Sequence, residues 1–344
     1  MDTQLSEHPR DMVVVTGLGY EIPAALRTWF ADGVVTCEQA SASLSHDADP
    51  VPLLRVRKTA KFMSKQDRLA LCAAARAVSV SGLGSDVLET KTLIAMAVGP
   101  IPFQESEARD VAEHSCVDSR FSEERFCKEA YEAFNPMLLF SCLPNMPTYH
   151  ISANLNMKGG YYLTYPSCAE SYLALRNAID SLSEGRAQAV LLGAVVDQQN
   201  FLVQNHHCKI HQSLPAPDSA CFIVLETLRH AQARKATVLA RLCHFKMGSH
   251  LKNPFSASGS AQPRPPDSAF TSAYFMEGEP VVRRRGSLQM PLGAEQWNAS
   301  SERACYLGPV ELPLEVARFI EGKSDRLIHR LNENNNCFES EWTR

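Results

Sequence analysis

The stretch from Met157 to Gly193, MKGGYYLTYPSCAESYLALRNAIDSLSEGRAQAVLLG, constrains the fold more than any other part of this chain. Residues 163–165 form a short run of β-favouring residues closed by Pro166. Ser167 and Cys168 follow, and then Leu173, Leu175, Ala178, Ile179 and Leu182 recur at helical spacing. Glu184, Gly185 and Arg186 stop that helix, and residues 189–192 read as a short buried strand. A strand therefore breaks into a tight turn, a cysteine sits on the turn, and a helix starts just behind it. Two readings of Cys168 follow. Such a junction exposes a nucleophile at a helix N-terminus, where the dipole and free N–H groups favour a thiolate. The same pattern also suits a small apolar residue buried at an ordinary β–α junction.

With 344 residues, 45% hydrophobic and 21% charged, the chain can bury a large core as one big domain or two fused halves. The net charge is -4 and basic residues are dispersed apart from Arg283-Arg284-Arg285, so no nucleic-acid surface is expected. Eleven cysteines without paired spacing argue against a secreted disulfide scaffold and point to a reducing cytoplasm. Residues 1–10 are polar and lack a signal-peptide core. No apolar run approaches the ~20 residues needed to span a membrane. Gly17-Leu18-Gly19 follows a predicted strand at 12–16 but lacks the third glycine and the acidic partner of a dinucleotide site, and no cofactor is expected. His206, His207, Cys208 and His211 cluster at 206–211, and His207 and His211 could share a helical face. They lack an acidic or cysteine partner at ligand spacing, so no metal site is expected.

Other elements follow from periodicity and punctuation. A short helix is predicted at 23–31. A longer one lies within 59–83, with Ser64 as N-cap, Asp67 as capping-box analogue and Gly82 at its end. A strand is predicted at 92–98. A helix at 121–134 would place Phe126, Ala130, Tyr131 and Phe134 on one face behind a Ser122 N-cap. Beyond a turn at 214–218 come a strand at 220–225, a helix at 228–236 and a strand at 237–242. Residues 246–298 read as irregular apart from a short strand at 280–282. A helix at 310–320 closed by Gly322, a strand at 327–328 and a final edge strand at 338–342 complete the chain.

The run Leu143-Pro144-Asn145-Met146, His150-Ile151-Ser152, Leu155-Asn156-Met157-Lys158-Gly159 and Ser167-Cys168-Ala169 resembles the β-ketoacyl synthases of the thiolase-like superfamily. There a PNM-type turn, an L-x-x-G step and a short strand lead into the active-site cysteine. Val13-Val14-Val15-Thr16-Gly17-Leu18-Gly19 resembles the family's opening strand, and Val224-Leu225-Glu226 with Ala231, Ala233, Arg234 and Ala236 resembles a later strand–helix step. The resemblance covers 12–245 well and 300–342 weakly. It implies an α/β, layered α/β/α/β/α thiolase-like fold with a truncated C-terminal half. The regions would be a ketosynthase N-terminal-like part at 12–245, an irregular segment at 246–298 and a C-terminal remnant at 299–344. It also puts Cys168 at the nucleophile position.

A decarboxylating ketosynthase needs two histidines to polarise the thioester carbonyl and stabilise the enolate. The family takes one from an H-G-T-G-T motif, and no H-G-T occurs in this chain. Aligning Leu307-Gly308 on the family's L-L-G step puts Cys305 where the second histidine belongs and Ser300 where a lysine belongs. The oxyanion-hole loop has no match, and Asn332 to Cys337 stands near its place. Glu170, two residues after the thiol, opposes thiolate formation. The resemblance therefore implies a chain-length-factor-like subunit, which pairs with a catalytic ketosynthase in a heterodimer, shapes its acyl tunnel and meets an acyl carrier protein. The alternative is a cysteine-dependent acyltransferase or condensing enzyme using Cys168. Leu138, Leu139 and Phe140 fit either the tunnel or simple core packing. Asn145 marks the family turn, and Tyr161, Tyr162 and Tyr165 suit an interface.

Overall fold

The computed structural model describes residues 12–24, 26, 44–100, 105–133, 143–210, 216–249, 269–276, 279–285, 307–333 and 336–344. Its strands are β1 (Val13–Glu21), β2 (Thr92–Val98), β3 (Cys116–Val117), β4 (Arg120–Phe121), β5 (Tyr161–Thr164), β6 (Ala189–Val196), β7 (Ser219–Thr227), β8 (Ala240–Ser249), β9 (Ala269–Met276), β10 (Glu279–Arg285), β11 (Arg326–Glu333) and β12 (Asn336–Thr343). Its helices are α1 (Lys65–Ser81), α2 (Ser85–Thr90), α3 (Glu105–Ser115), α4 (Met146–Leu155), α5 (Glu170–Ser183), α6 (Phe201–Ile210), α7 (Leu228–Ala233) and α8 (Glu311–Glu321). Between α3 and α4, the stretch 123–133 is helical but broken by a π turn at Phe126–Ala130.

Ten strands hydrogen-bond in the order β10-β9-β11-β12-β8-β1-β7-β6-β2-β5. β2 runs parallel to both β5 and β6, and the remaining pairs are antiparallel. The first half supplies β5-β2-β6-β7-β1 and the second half supplies the rest. Among the described residues, the strand ladder between the two lobes is short: Val14↔Arg241 and Val15↔Ala240. That narrow joint lets the sheet fold over on itself, so the two sheets expected from the sequence are two lobes of one sheet. α1 packs on the outer face of the first lobe beside α4. α5 packs on the other face and lies against α8. Side chains of α5 and α8 share one core with Leu192 and Leu225 of the first lobe and with Phe245, Leu327, Phe338 and Trp342 of the second. The layers therefore run helix, sheet, helix pair, sheet.

The sequence explains these positions. β6 and β7 are near-continuous apolar runs, and β6 is buried along its whole length, as a strand covered on both faces must be. α1 opens on a true capping box: Ser64 Oγ accepts from Asp67 N, and the Asp67 side chain accepts from Ser64 N. It ends at Gly82 in the left-handed region. Its inner face is rich in alanine, which lets β1 come very close. A Cβ on Gly17 would lie 2.2 Å from the Ala77 carbonyl oxygen, and one on Gly19 would lie 2.2 Å from that of Ala73. β1 therefore runs on through Gly17-Leu18-Gly19, past the strand predicted at 12–16, as the resemblance to the family's opening strand implies. Its glycines serve helix–strand packing.

Several expectations change. The helix predicted at 121–134 keeps its Ser122 cap but not one buried face, since Ala130 is buried and Tyr131 exposed. Segment 246–298 is not wholly irregular: it holds the end of β8 together with β9 and β10. The final strand is not an edge. β12 is flanked by β8 and β11, with Phe338, Ser340 and Trp342 alternating inward. Of the stretch 332–337, Asn332 and Glu333 pair with Cys337 and Asn336 at the end of the β11–β12 ladder. Within the predicted helix at 23–31, only 23, 24 and 26 lie among the described residues.

Candidate functional site around Cys168

β5, β2 and β6 are parallel, so their C-terminal ends open on the same side of the sheet. Open α/β sheets bind ligands at that end. Cys168 stands just beyond the end of β5. The approach to it is tightly built. Asn156 ends α4 in the left-handed region, and Gly159 passes so close to β2 that a Cβ would lie 2.1 Å from the Thr92 carbonyl oxygen. After β5 the chain turns through 165–169. Thr164 Oγ1 donates to the Glu170 carbonyl at 3.0 Å, and Ser171 Oγ donates to the Cys168 carbonyl at 3.1 Å. These bonds tie the strand end to the first turn of α5.

The strand–turn–helix–strand reading of 157–193 thus holds, with β5 at Tyr161–Thr164 rather than 163–165. Cys168 itself is 1% exposed and belongs to the core shared by both lobes. The turn encloses the thiol. Glu170 is the first residue of α5, and Ser167 Oγ donates to its carboxylate at 3.4 Å.

Polar groups gather at the same end of the sheet. Lys65 Nζ bridges Asp197 Oδ1 at 3.1 Å and Asp218 Oδ2 at 3.0 Å. Asp218 is fully buried and also accepts from the backbone N–H groups of Gln199 and His46. Burial and the neighbouring Asp218 push Asp197 up to about 6. Burial works against the Lys65 ammonium, but Asp197 and Asp218 more than offset it and raise its pKa. This cluster pins the N-terminus of α1 and the loop before it onto the ends of β6 and β7.

On the neighbouring side, His150 Nε2 lies 3.9 Å from Asp67 Oδ2, with both residues buried. Desolvation lifts Asp67 to about 7 and lowers His150 to about 4. The two groups face each other where α4 packs on α1, at a distance beyond a hydrogen bond. The spacing showed His150 and Asp67 separately. Their meeting, and that of Lys65, Asp197 and Asp218, is long-range and carries no local signal.

The other candidates separate. Tyr161 on β5 is 59% exposed, Tyr165 is 39% exposed and Tyr162 is half-buried. β5 is the terminal strand of the sheet among the described residues. Asn145 is the N-cap residue of α4, and its carbonyl accepts from Tyr149 N at 3.0 Å. Leu138, Leu139, Phe140, Ser300 and Cys305 lie outside the described residues. So does His211, and α6 carries His206, His207 and Cys208. No group of three or more metal-ligating side chains is present among the described residues. No described helix is long and apolar enough to cross a membrane.

Comparison with known proteins places this architecture. Residues 30–209, just over half of the chain, match the family described as Beta-ketoacyl synthase, N-terminal domain. The chain belongs to the β-ketoacyl synthase family, and its fold is thiolase-like. No curated protein sequence matches it. Among solved structures, it is similar to a type II polyketide synthase ketosynthase, bound to the hexaketide and in complex with its acyl-carrier protein. The TM-score is 0.55 at 19% identity, over 70% of each chain. It is similar also to the ishigamide ketosynthase/chain length factor, with a TM-score of 0.52 at 18% identity. That match covers 71% of this chain and 65% of the other, slightly under two thirds of its length.

Proposed function

We propose that this chain is a non-condensing, chain-length-factor-like subunit that pairs with a catalytic ketosynthase and shapes its acyl tunnel. The observation that carries the reading is a contrast. The strand–turn–helix passage around Cys168 is present, yet the chain has no H-G-T motif, and aligning Leu307-Gly308 on the family's L-L-G step puts Cys305 in place of the second histidine. A thiol without a histidine pair cannot stabilise the enolate formed as carbon dioxide leaves. Enclosure of Cys168 in the core supports the same conclusion. The exposed edge strand β5, with Tyr161 and Tyr165 at the surface, supports pairing, because an open edge with aromatic side chains is an association site.

In this reading the partner is a ketosynthase that meets β5 across a pseudo-two-fold axis. Leu138, Leu139 and Phe140 form the floor of its tunnel, an acyl carrier protein delivers substrate to the pair, and the setting is the cytoplasm. The test is co-expression with a ketosynthase encoded beside it, followed by size-exclusion chromatography. A co-eluting heterodimer is expected, and two independent peaks would sink the proposal. Retention of Cys168 favours one second reading, a cysteine acyltransferase working without decarboxylation. Acyl transfer from an acyl-carrier thioester that is lost in Cys168→Ala would favour it.

A further inference from the structure

Directly behind the Cys168 turn lies a buried polar pair. Tyr172, one helical turn after Cys168 on α5, is fully buried, and its ring stacks on that of His329 of β11 with centroids 5.7 Å apart. Its hydroxyl lies 2.5 Å from His329 Nδ1 and 3.0 Å from the His329 carbonyl oxygen. Phe245 of β8 and Phe338 of β12 close around the tyrosine ring, with centroids 6.2 Å and 5.2 Å away. A hydroxyl has one proton. Both contacts are satisfied together when Tyr172 O–H donates to the carbonyl and His329 Nδ1–H donates to the tyrosine oxygen. His329 Nε2 then faces Glu311 Oε1 of α8 at 3.8 Å, beyond hydrogen-bond range.

Apolar side chains would fill this space without the cost of burying a hydroxyl and an imidazole. What the polar pair adds is register. A one-residue slip of β11 turns His329 to the other face of the sheet and takes both of its contacts away from the Tyr172 hydroxyl, leaving only the bond to Ser340 of β12. The pair thereby ties α5, which begins two residues after Cys168, to the second lobe in a single alignment.

We propose that Tyr172 and His329 are positioning residues that clasp the Cys168 helix to the second lobe and keep the thiol closed to solvent and to acyl donors. The inference rests on the reading of Cys168 as the nucleophile position, but its test reads thiol access directly. It can fail while pairing with a ketosynthase stands, and the reverse also holds.

The test is the rate of iodoacetamide labelling of each cysteine in the full chain, followed by peptide mass spectrometry. In the wild type, exposed Cys127 and Cys243 should label fast, and buried Cys168 and Cys72 slowly. Tyr172→Phe removes one oxygen and keeps the ring. It should speed Cys168 labelling by about tenfold or more and leave Cys72 unchanged, since losing a buried hydrogen bond shifts a local opening equilibrium by that order. His329→Leu should act likewise. His329→Asn, whose amide sets a donor near the place of Nδ1, should restore much of the protection. Wild-type labelling of Cys168 in Tyr172→Phe would overturn the proposal. So would parallel opening of Cys72, which marks general loss of stability, or equal behaviour of the Asn and Leu variants.

Discussion

A methyl group at position 19 has nowhere to go. Its carbon would sit 2.2 Å from the Ala73 carbonyl oxygen and 2.5 Å from Ala77 N, and helix backbone cannot turn aside as a side chain can. Gly19→Ala should therefore destabilise the fold by about 2–3 kcal/mol, read from the denaturant midpoint. Asp67 and His150 give a residue-scale prediction in pH. Burial lifts the Asp67 carboxyl from 3.8 to about 7, so the folded chain keeps it neutral where the unfolded chain ionises it. Its contribution is fully present below pH 3.8 and is lost as pH rises towards 7. His150, lowered from 6.5 to about 4, runs the other way: its cost is absent above pH 6.5 and grows as pH falls towards 4. Asp67→Asn removes only the first effect. Its stability relative to the wild type should rise by roughly 2–4 kcal/mol between pH 4 and pH 8. A difference that stays flat across that range would show that Asp67 ionises normally in the fold.

At the scale of elements, the capping box on α1 should be worth about 1 kcal/mol, so Ser64→Ala should lower the unfolding midpoint accordingly. Edge strand β5 carries the pairing prediction. Tyr161→Asp should weaken the complex with a ketosynthase by about tenfold or more while leaving the circular dichroism spectrum unchanged, because Tyr161 is largely exposed in the single chain. Much of this layout is legible in the residues. The capping box, the run at 92–98 and the strand–turn–helix–strand passage around Cys168 all fold as their patterns say. The failures have physical causes. An alternating strand looks the same at an edge as in the middle of a sheet with one face on the core, so β12 could not be placed from Phe338 and Trp342 alone. The reason β1 carries glycine at 17 and 19 shows only when α1 is packed on it. Tyr172 and His329 are 157 residues apart, and no local spacing connects them.

For the whole molecule, the two lobes enclose α5 and α8, and the cysteine turn lies in the core that results. Alone, the purified chain should release no carbon dioxide from a malonyl-carrier thioester above background, because a thiol without paired histidines lacks the charge stabilisation that step needs. Phe140→Ala should lengthen the products of the complex and leave turnover near normal, since a tunnel floor acts by steric exclusion. The most direct measurement is product formation by the purified heterodimer carrying Cys168→Ala in this chain, with assembly checked by size-exclusion chromatography. The account predicts an intact heterodimer that forms product near the wild-type rate. An intact heterodimer that forms no product would contradict it.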